Sequence, residues 1–470
     1  MSSTLNADIL SIIASFLQRD ELLRFSLASQ AHRTAAYPCL YTNVHVESLA
    51  GLRAFAETIR RNPYLAPCVK HFTEGVSRWR PLYAGVGPAQ WREYTSTVLE
   101  MLQALRLMTH VALSASLDFC TEEDVAACHP KTLVALGNLT HLTALALTDV
   151  DYHFLDLVDV CAPLTILHVS PSHTQWTGSH EAHDRDEWMV KLYRIIERRH
   201  AQTLVELNVP YGSVIERPEF AHVCMPNVET FMVPEGLSAT PQLAAMFPNL
   251  RHLRLGVGPH ALRGVDKVWP RLAHLELESC EPGLVGPEHE IRSLSFCVDR
   301  ADFRKFVPSL ASRRVESLRL RWEEKPPEMR DVVAQCFPAV RYMELPVRLE
   351  AITKVMDPSA PFDMNDHWPA DVPVEVFNFF IMVLPPPPVG WDADVPLKHI
   401  LTKVYDSVKL IILSWIDADF TPHARMLARD ASGTFMPISM NDAFAIVSKY
   451  RYAPLWPRWS ASSFCTEFIH

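Results

Sequence analysis

Most of this 470-residue chain repeats one short pattern: an apolar residue, two of any type, a second apolar residue, one of any type, and a third apolar residue. Its clearest copies are Leu142-Leu145-Leu147, Leu164-Leu167-Val169, Leu204-Leu207-Val209, Val228-Phe231-Val233, Leu250-Leu253-Leu255, Leu272-Leu275-Leu277, Ile291-Leu294-Phe296, Val315-Leu318-Leu320 and Val340-Met343-Leu345. From residue 204 onward the copies start 24, 22, 22, 19, 24 and 25 residues apart. Alternation over so few residues is the mark of a short strand, with side chains pointing to opposite faces in turn. Leu253 and Leu255 then point to one side and His252 and Arg254 to the other. No single unit can bury its own leucines, so the units must stack.

The period lies inside the roughly 20–29 residues of leucine-rich repeats. Leu272-Ala273-His274-Leu275-Glu276-Leu277-Glu278-Ser279-Cys280 matches the full repeat consensus, and Pro226, Pro248, Pro270 and Pro338 each stand two places before a first apolar position. Segments 241–247, 301–310 and 328–337 can form outer helices. Weaker copies extend the array in both directions: Val69 with Phe72, Met108-Val111-Leu113, Val374-Phe377-Phe379 and Val408-Ile411-Leu413. The expected fold class is α/β. An irregular leucine-rich-repeat solenoid of parallel concave strands and outer helices occupies residues 46–415, clearest over 140–348. A helical unit precedes it at 1–45, and a cap or tail with a helix near 441–450 follows at 416–470.

The first forty residues follow a different rule. Ile9, Ile12, Ile13, Phe16 and Leu17 recur at the spacing of one helix face. Asp20 can cap a second helix carrying Leu22, Leu23, Phe25 and Leu27, and a third segment, 28–36, is closed by Pro38. Helices this short cannot bury all their apolar surface against one another. Either they cap the array or some of that surface seeks a partner.

Leu5, Asp8, Ile9, Ile12, Phe16-Leu17, Asp20, Leu22-Leu23, Leu27, Arg33 and Leu40-Tyr41 fall in the order and spacing of the F-box motif, which residues 5–41 resemble. Asn6 stands where that family usually has proline, and Ser29-Gln30-Ala31-His32 replaces its Cys-x-x-aromatic step. Joined to a repeat array, the whole resembles the F-box/leucine-rich-repeat substrate receptors of Skp–cullin–F-box ubiquitin ligases, in the proline-rich style of fungal members. The resemblance implies a non-catalytic adaptor. Leu5, Ile9, Ile12, Phe16, Leu22, Leu27 and Leu40 would serve docking on the Skp adaptor subunit, split between a small core and the docking surface. Through Skp the chain would join a cullin–RING ligase, and the solenoid would capture a protein substrate. The other reading is a repeat scaffold or inhibitor without ligase docking, which Asn6 favours.

On the concave side, His252, Arg254, His274, Glu276, Arg319, Arg321 and Tyr342 are the candidate substrate-binding residues. They are expected to face solvent, free to recognise a partner at little cost to stability if altered. Opposite charges on adjacent strands can instead neutralise one another. The remaining signals are negative. A net charge of −10 disfavours nucleic acid. No apolar run approaches the roughly 20 residues that span a bilayer, no signal peptide opens the chain, and ten scattered cysteines suit a reducing compartment, so the expected location is cytoplasm, nucleus or both. No serine-hydrolase, Walker or zinc-protease motif is present, and neither catalytic residue nor cofactor is expected. Gly256-Val257-Gly258-Pro259-His260-Ala261 only superficially reads as a dinucleotide loop. His173, His180, His183, Asp184 and Asp186 have metal-ligand types but lie in a polar stretch expected to be a solvated loop, so no metal is assigned.

Overall fold

The computed structural model describes residues 6–17, 19–46, 48–74, 88–114, 122–171, 181–210, 212, 215, 217–233, 241–256, 264–277, 285, 289–297, 303, 307–321, 329–348, 372–382, 406–416 and 422–449. The chain divides into two compact units, Met1–Pro210 with Val223–Asn227 and Tyr211–His222 with Val228–His470. Their architecture is α/β: three N-terminal helices packed together, then strands alternating with helices, as in a leucine-rich-repeat-like solenoid.

The first unit opens with α1 (Ala7–Phe16), α2 (Arg19–Leu27) and α3 (Gln30–Tyr41). Asn6 caps α1 by accepting the Asp8 amide at 3.2 Å, and Ser29 caps α3 by accepting the His32 amide at 3.3 Å. Pro38 does not close the third helix as expected; α3 runs through it to Tyr41. Beyond the lost proline donor the next turn is intact, with the Thr42 amide donating to the Pro38 carbonyl at 3.1 Å. The three helices enclose a small core of Ala14, Leu22 and Ala36, with Leu17, Phe25, Cys39 and Leu40 packed around it.

Strands β1 (Asn43–Val46), β2 (His71–Glu74), β3 (His110–Ser114), β4 (Ala144–Val150), β5 (Ile166–Pro171) and β6 (Glu206–Asn208) then pair in chain order, all parallel. Between them run α4 (Leu49–Arg61), α5 (Pro88–Ala104), α6 (Glu122–Gly137), α7 (Asp156–Asp159) and α8 (Glu181–Arg199). The polar stretch expected as a loop is therefore helical from Glu181, where Trp188, Met189 and Leu192 bury one face. The residue before each strand holds the stack together: its carbonyl accepts two amides of the next unit, as Thr109 does from Thr143 at 2.8 Å and Ala144 at 3.0 Å. In this unit threonine hydroxyls reinforce that row, Thr109 to Lys70 at 3.2 Å, Thr143 to Thr109 at 3.1 Å and Thr165 to Thr143 at 3.0 Å.

The second unit continues the scheme with β7 (Thr230–Val233), β8 (His252–Leu255), β9 (His274–Leu277), β10 (Ser293–Cys297), β11 (Ser317–Arg321), β12 (Tyr342–Arg348), β13 (Val376–Met382) and β14 (Leu410–Ile416), parallel and in order. Among the described residues its helices include α9 (Pro241–Met246), α10 (Val265–Val268), α11 (Met329–Cys336) and, after the last strand, α12 (Met440–Val447). Of the three expected outer helices, two are present; in the third segment Phe303 is helical, Val307–Leu310 form a short 3-10 turn, and the rest of 301–306 lies outside the described residues. Here the row before the strands is charged except at Ala273, with Glu375 between Arg341 at 3.5 Å and Lys409 at 2.6 Å. Strands β15 (Pro422–Arg429) and β16 (Phe435–Pro437) reverse direction and finish the sheet antiparallel. The Asp430 carboxylate, accepting the Ser432 and Thr434 amides at 2.8 and 3.0 Å, and Gly433 at a φ of 85° shape the turn between them.

Register defines two faces. Leu253, Leu275, Leu294, Leu318, Met343, Phe377 and Ile411 lie in one row on the buried leucine face, against which Phe247 stacks on Phe231. The opposite face carries two rows. One runs His252, His274, Ser293, Ser317, Tyr342, Val376, Leu410; the other runs Arg254, Glu276, Ser295, Arg319, Glu344, Asn378, Ile412. Among the described residues, no helix is long and apolar enough to cross a membrane.

Candidate functional site

The first candidate surface is built on α1 and α2. Leu10 and Ala14 are the buried residues of α1, Ala14 in the small core, while Ile9, Ile12, Ile13 and Phe16, spaced i, i+3, i+4 and i+7, form a second apolar stripe in solvent. Ile12 is 59% exposed and Phe16 82%. Helix α2 repeats the arrangement: Leu22 is buried, whereas Leu23 and Leu27, one turn apart, are exposed, Leu27 at 76%. Large apolar side chains left in solvent at helical spacing on both helices mark an interaction site rather than scattered surface residues. Burying each would contribute about 1.5–3 kcal/mol. Of the residues assigned to docking by resemblance, Ile9, Ile12, Phe16 and Leu27 lie on this face, Leu22 and Leu40 belong to the core, and Leu5 is outside the described residues. Ile13 and Leu23 are exposed in the same way although neither was assigned to docking; their spacing from Ile9 and Leu27 was the available signal.

The second candidate is the polar face of the second unit's sheet, and there the expectation of solvent-facing side chains fails in part. Arg319 is 4% exposed and Glu344 1%, joined by an ion pair of 2.5 Å across β11 and β12. The Tyr342 hydroxyl donates to the other Glu344 oxygen at 2.8 Å, and the Asn378 amide donates to that oxygen at 3.1 Å and to the Tyr342 oxygen at 3.3 Å. Tyr342 and His252 are buried as well. The reason is register: directly opposed rows bring cation and carboxylate together, and Tyr342 and Asn378 bond to the same carboxylate. Arg319 is thus committed to holding Glu344 and is not free for a partner.

What stays partly open is Arg254, Glu276 and His274 on β8 and β9. Burial opposes ionisation of Glu276, but a hydrogen bond from His252 and the charges of His252, Arg254 and Arg319 outweigh it and hold the carboxyl well below its usual range. His252 and Arg254 lie 3.5 and 3.7 Å from the two Glu276 oxygens. His274 is pushed down to about 3, first by burial and then by His252, so it is a neutral imidazole at physiological pH. Arg321 ends β11, and Glu278 lies outside the described residues.

The polar face of the first unit carries a comparable pair that sequence reasoning did not single out. His71 and His110 occupy opposed register positions with ring centroids 4.2 Å apart, and burial followed by His71 pushes His110 down to about 4. Further along, the His168 ring meets the buried Glu206 carboxylate at 2.7 Å. A histidine at the first or third strand position was the signal that could have found them.

His173 and His180 lie outside the described residues; Asp184 and Asp186 fall in α8 with His183. Gly256 follows β8, and the rest of that glycine segment, like the Trp456–Trp459 tail, is outside the described residues. No protein-family model matches the chain, and no curated protein matches it.

Proposed function

We propose that this chain is a substrate-recognition adaptor of a Skp–cullin–F-box ubiquitin ligase. The observation that carries the reading is the double-sided α1, with one apolar stripe in the three-helix core and a second, Ile9, Ile12, Ile13 and Phe16, left in solvent. Such a face suits a partner that lays apolar helices against it. Its position at the head of a repeat array supports the same reading. The Skp subunit covers the α1–α2 face, and the array holds the substrate. The Arg254–Glu276–His274 patch is the accessible part of the polar face through which capture begins. Mixed charge there favours selectivity over strength. The chain itself performs no chemistry in this scheme, and its ligase partners supply the transfer. Co-expression with the Skp and cullin subunits tests it: a complex should co-elute in gel filtration, and a chain that elutes alone under those conditions is the scaffold without ligase docking.

A further inference from the structure

The last helix does not cap the end of the array in the expected way. Tyr342, Val376, Leu410 and Ile412 belong to the two rows opposite the leucine face, and Ala443 and Val447 of α12 are buried against them, with Ile446, Met426 and Ala428 alongside. Helix α12 therefore lies on the face that carries Arg254 and Glu276, opposite the leucine face. That face is polar at β8 to β11, with His252, His274, Ser293, Ser317, Arg254, Glu276, Ser295 and Arg319, and turns apolar beneath the helix.

The occupant is slight. Helix α12 has eight residues; Asp442 and Ala445 on its other side, and Ser448 and Lys449 just beyond it, are exposed. It is held through Ala443, Ile446 and Val447, spaced i, i+3 and i+4. Ser439 pre-forms its first turn, accepting the Asp442 amide at 3.1 Å and donating to the Asp442 carboxylate at 2.6 Å. The strand before it, β16, has three residues, whereas the strands beneath have seven each. A helix this short is not stable alone, and elements with few buried contacts open well before the domain unfolds.

We propose that α12 is a resident, displaceable ligand of the polar face, and that the partner which replaces it presents an amphipathic helix with small apolar side chains at the same i, i+3, i+4 spacing. Displacement uncovers Tyr342 and the Arg319–Glu344–Asn378 cluster behind it, adding hydrogen-bonding groups to the Arg254–Glu276–His274 patch. The proposal rests on reading the polar face as the capture surface, and it is independent of docking on Skp. Tethering gives α12 an effective concentration in the millimolar range, so a competing helix must bind the open face well below that.

The test uses the full-length chain carrying Ala443→Glu and Val447→Glu, which detaches the helix, and a fluorescent peptide of residues 438–449 as probe. Anisotropy should show the peptide binding the variant chain at least about tenfold more tightly than the unmodified chain. A peptide with the same two glutamates should not bind. Equal binding to both chains, or none to a variant that keeps the unmodified melting temperature, overturns the proposal. Should the variant not fold, amide exchange in the unmodified chain decides. Residues 443–447 should exchange at least about 100-fold faster than Phe377 and Ile411, and equal protection there shows α12 to be a fixed part of the unit. Neither readout involves Skp, so its failure and that of the ligase reading are separately visible.

Discussion

At Phe16 an aromatic ring stands almost wholly in solvent, while at Arg319 a guanidinium is almost wholly out of it. The N-terminal helices expose what proteins ordinarily bury, and the second unit's sheet buries what they ordinarily expose. Each reversal has a different cause. In the helices, a core centred on Ala14, Leu22 and Ala36 is too small to use both apolar stripes of α1, so one is left over. In the sheet, parallel register sets Arg319 against Glu344 and the pair becomes part of the structure. Residue type alone would assign recognition to the arginine and stability to the isoleucines. Burial assigns them the other way round.

Arg319→Ala separates the two regions most sharply. It leaves the Glu344 carboxylate buried without its cation, and equilibrium unfolding should show a loss of about 3–5 kcal/mol, with Arg254→Ala close to unchanged. Leu22→Ala makes the corresponding cut in the helices. A cavity in so small a core should cost about 2–5 kcal/mol, seen as an early thermal transition of α1–α3, against little for Ile12→Ala.

Much of this fold is legible in the sequence. Nine clear and four weak copies of the apolar pattern all fall on strands, from Phe72 in β2 to Ile411 in β14, because the period-two alternation and the leucine core arise from the same residues. Strands β1, β15 and β16 escaped: the first does carry the pattern, as Tyr41-Val44-Val46, but its leading residue lies in the helical segment before it, and the other two form an antiparallel hairpin set by the Asp430–Thr434 turn. The sites were less legible. Helical spacing found the apolar face of α1 but could not tell which of Ile9, Leu22 and Leu40 would fill the core. The strand pattern placed Arg254, Glu276, Arg319 and Tyr342 on one face, yet burial of that face depends on contacts no repeat encodes, among them α12 lying over Tyr342.

Acid should act more gently, and on both units. His110 and His274 are held down to about 4 and about 3, below the ordinary 6.5 of the unfolded chain. The unfolded state therefore binds more protons as pH falls from about 6.5 toward 4, and stability falls with it. Each histidine contributes a slope of at most about 1.4 kcal/mol per pH unit, less where solvent screens it. Glu276, held low, adds its own loss only below the carboxylate range. Melting temperatures recorded from pH 7 to pH 4.5 should decline steadily, and His110→Gln should flatten the first unit's share. The smallest stability effect belongs to the exposed stripe: Phe16→Asp should change unfolding by no more than about 0.5 kcal/mol.

That stripe also decides the central claim. Calorimetric titration of the full-length chain with the Skp subunit should show saturable binding. Ile12→Asp combined with Phe16→Asp should weaken it at least about 100-fold, or about 2.7 kcal/mol, with the melting temperature unchanged. Undiminished affinity in the double variant, or no binding by the unmodified chain, would contradict the assignment of the α1–α2 face as the docking surface of a ligase adaptor.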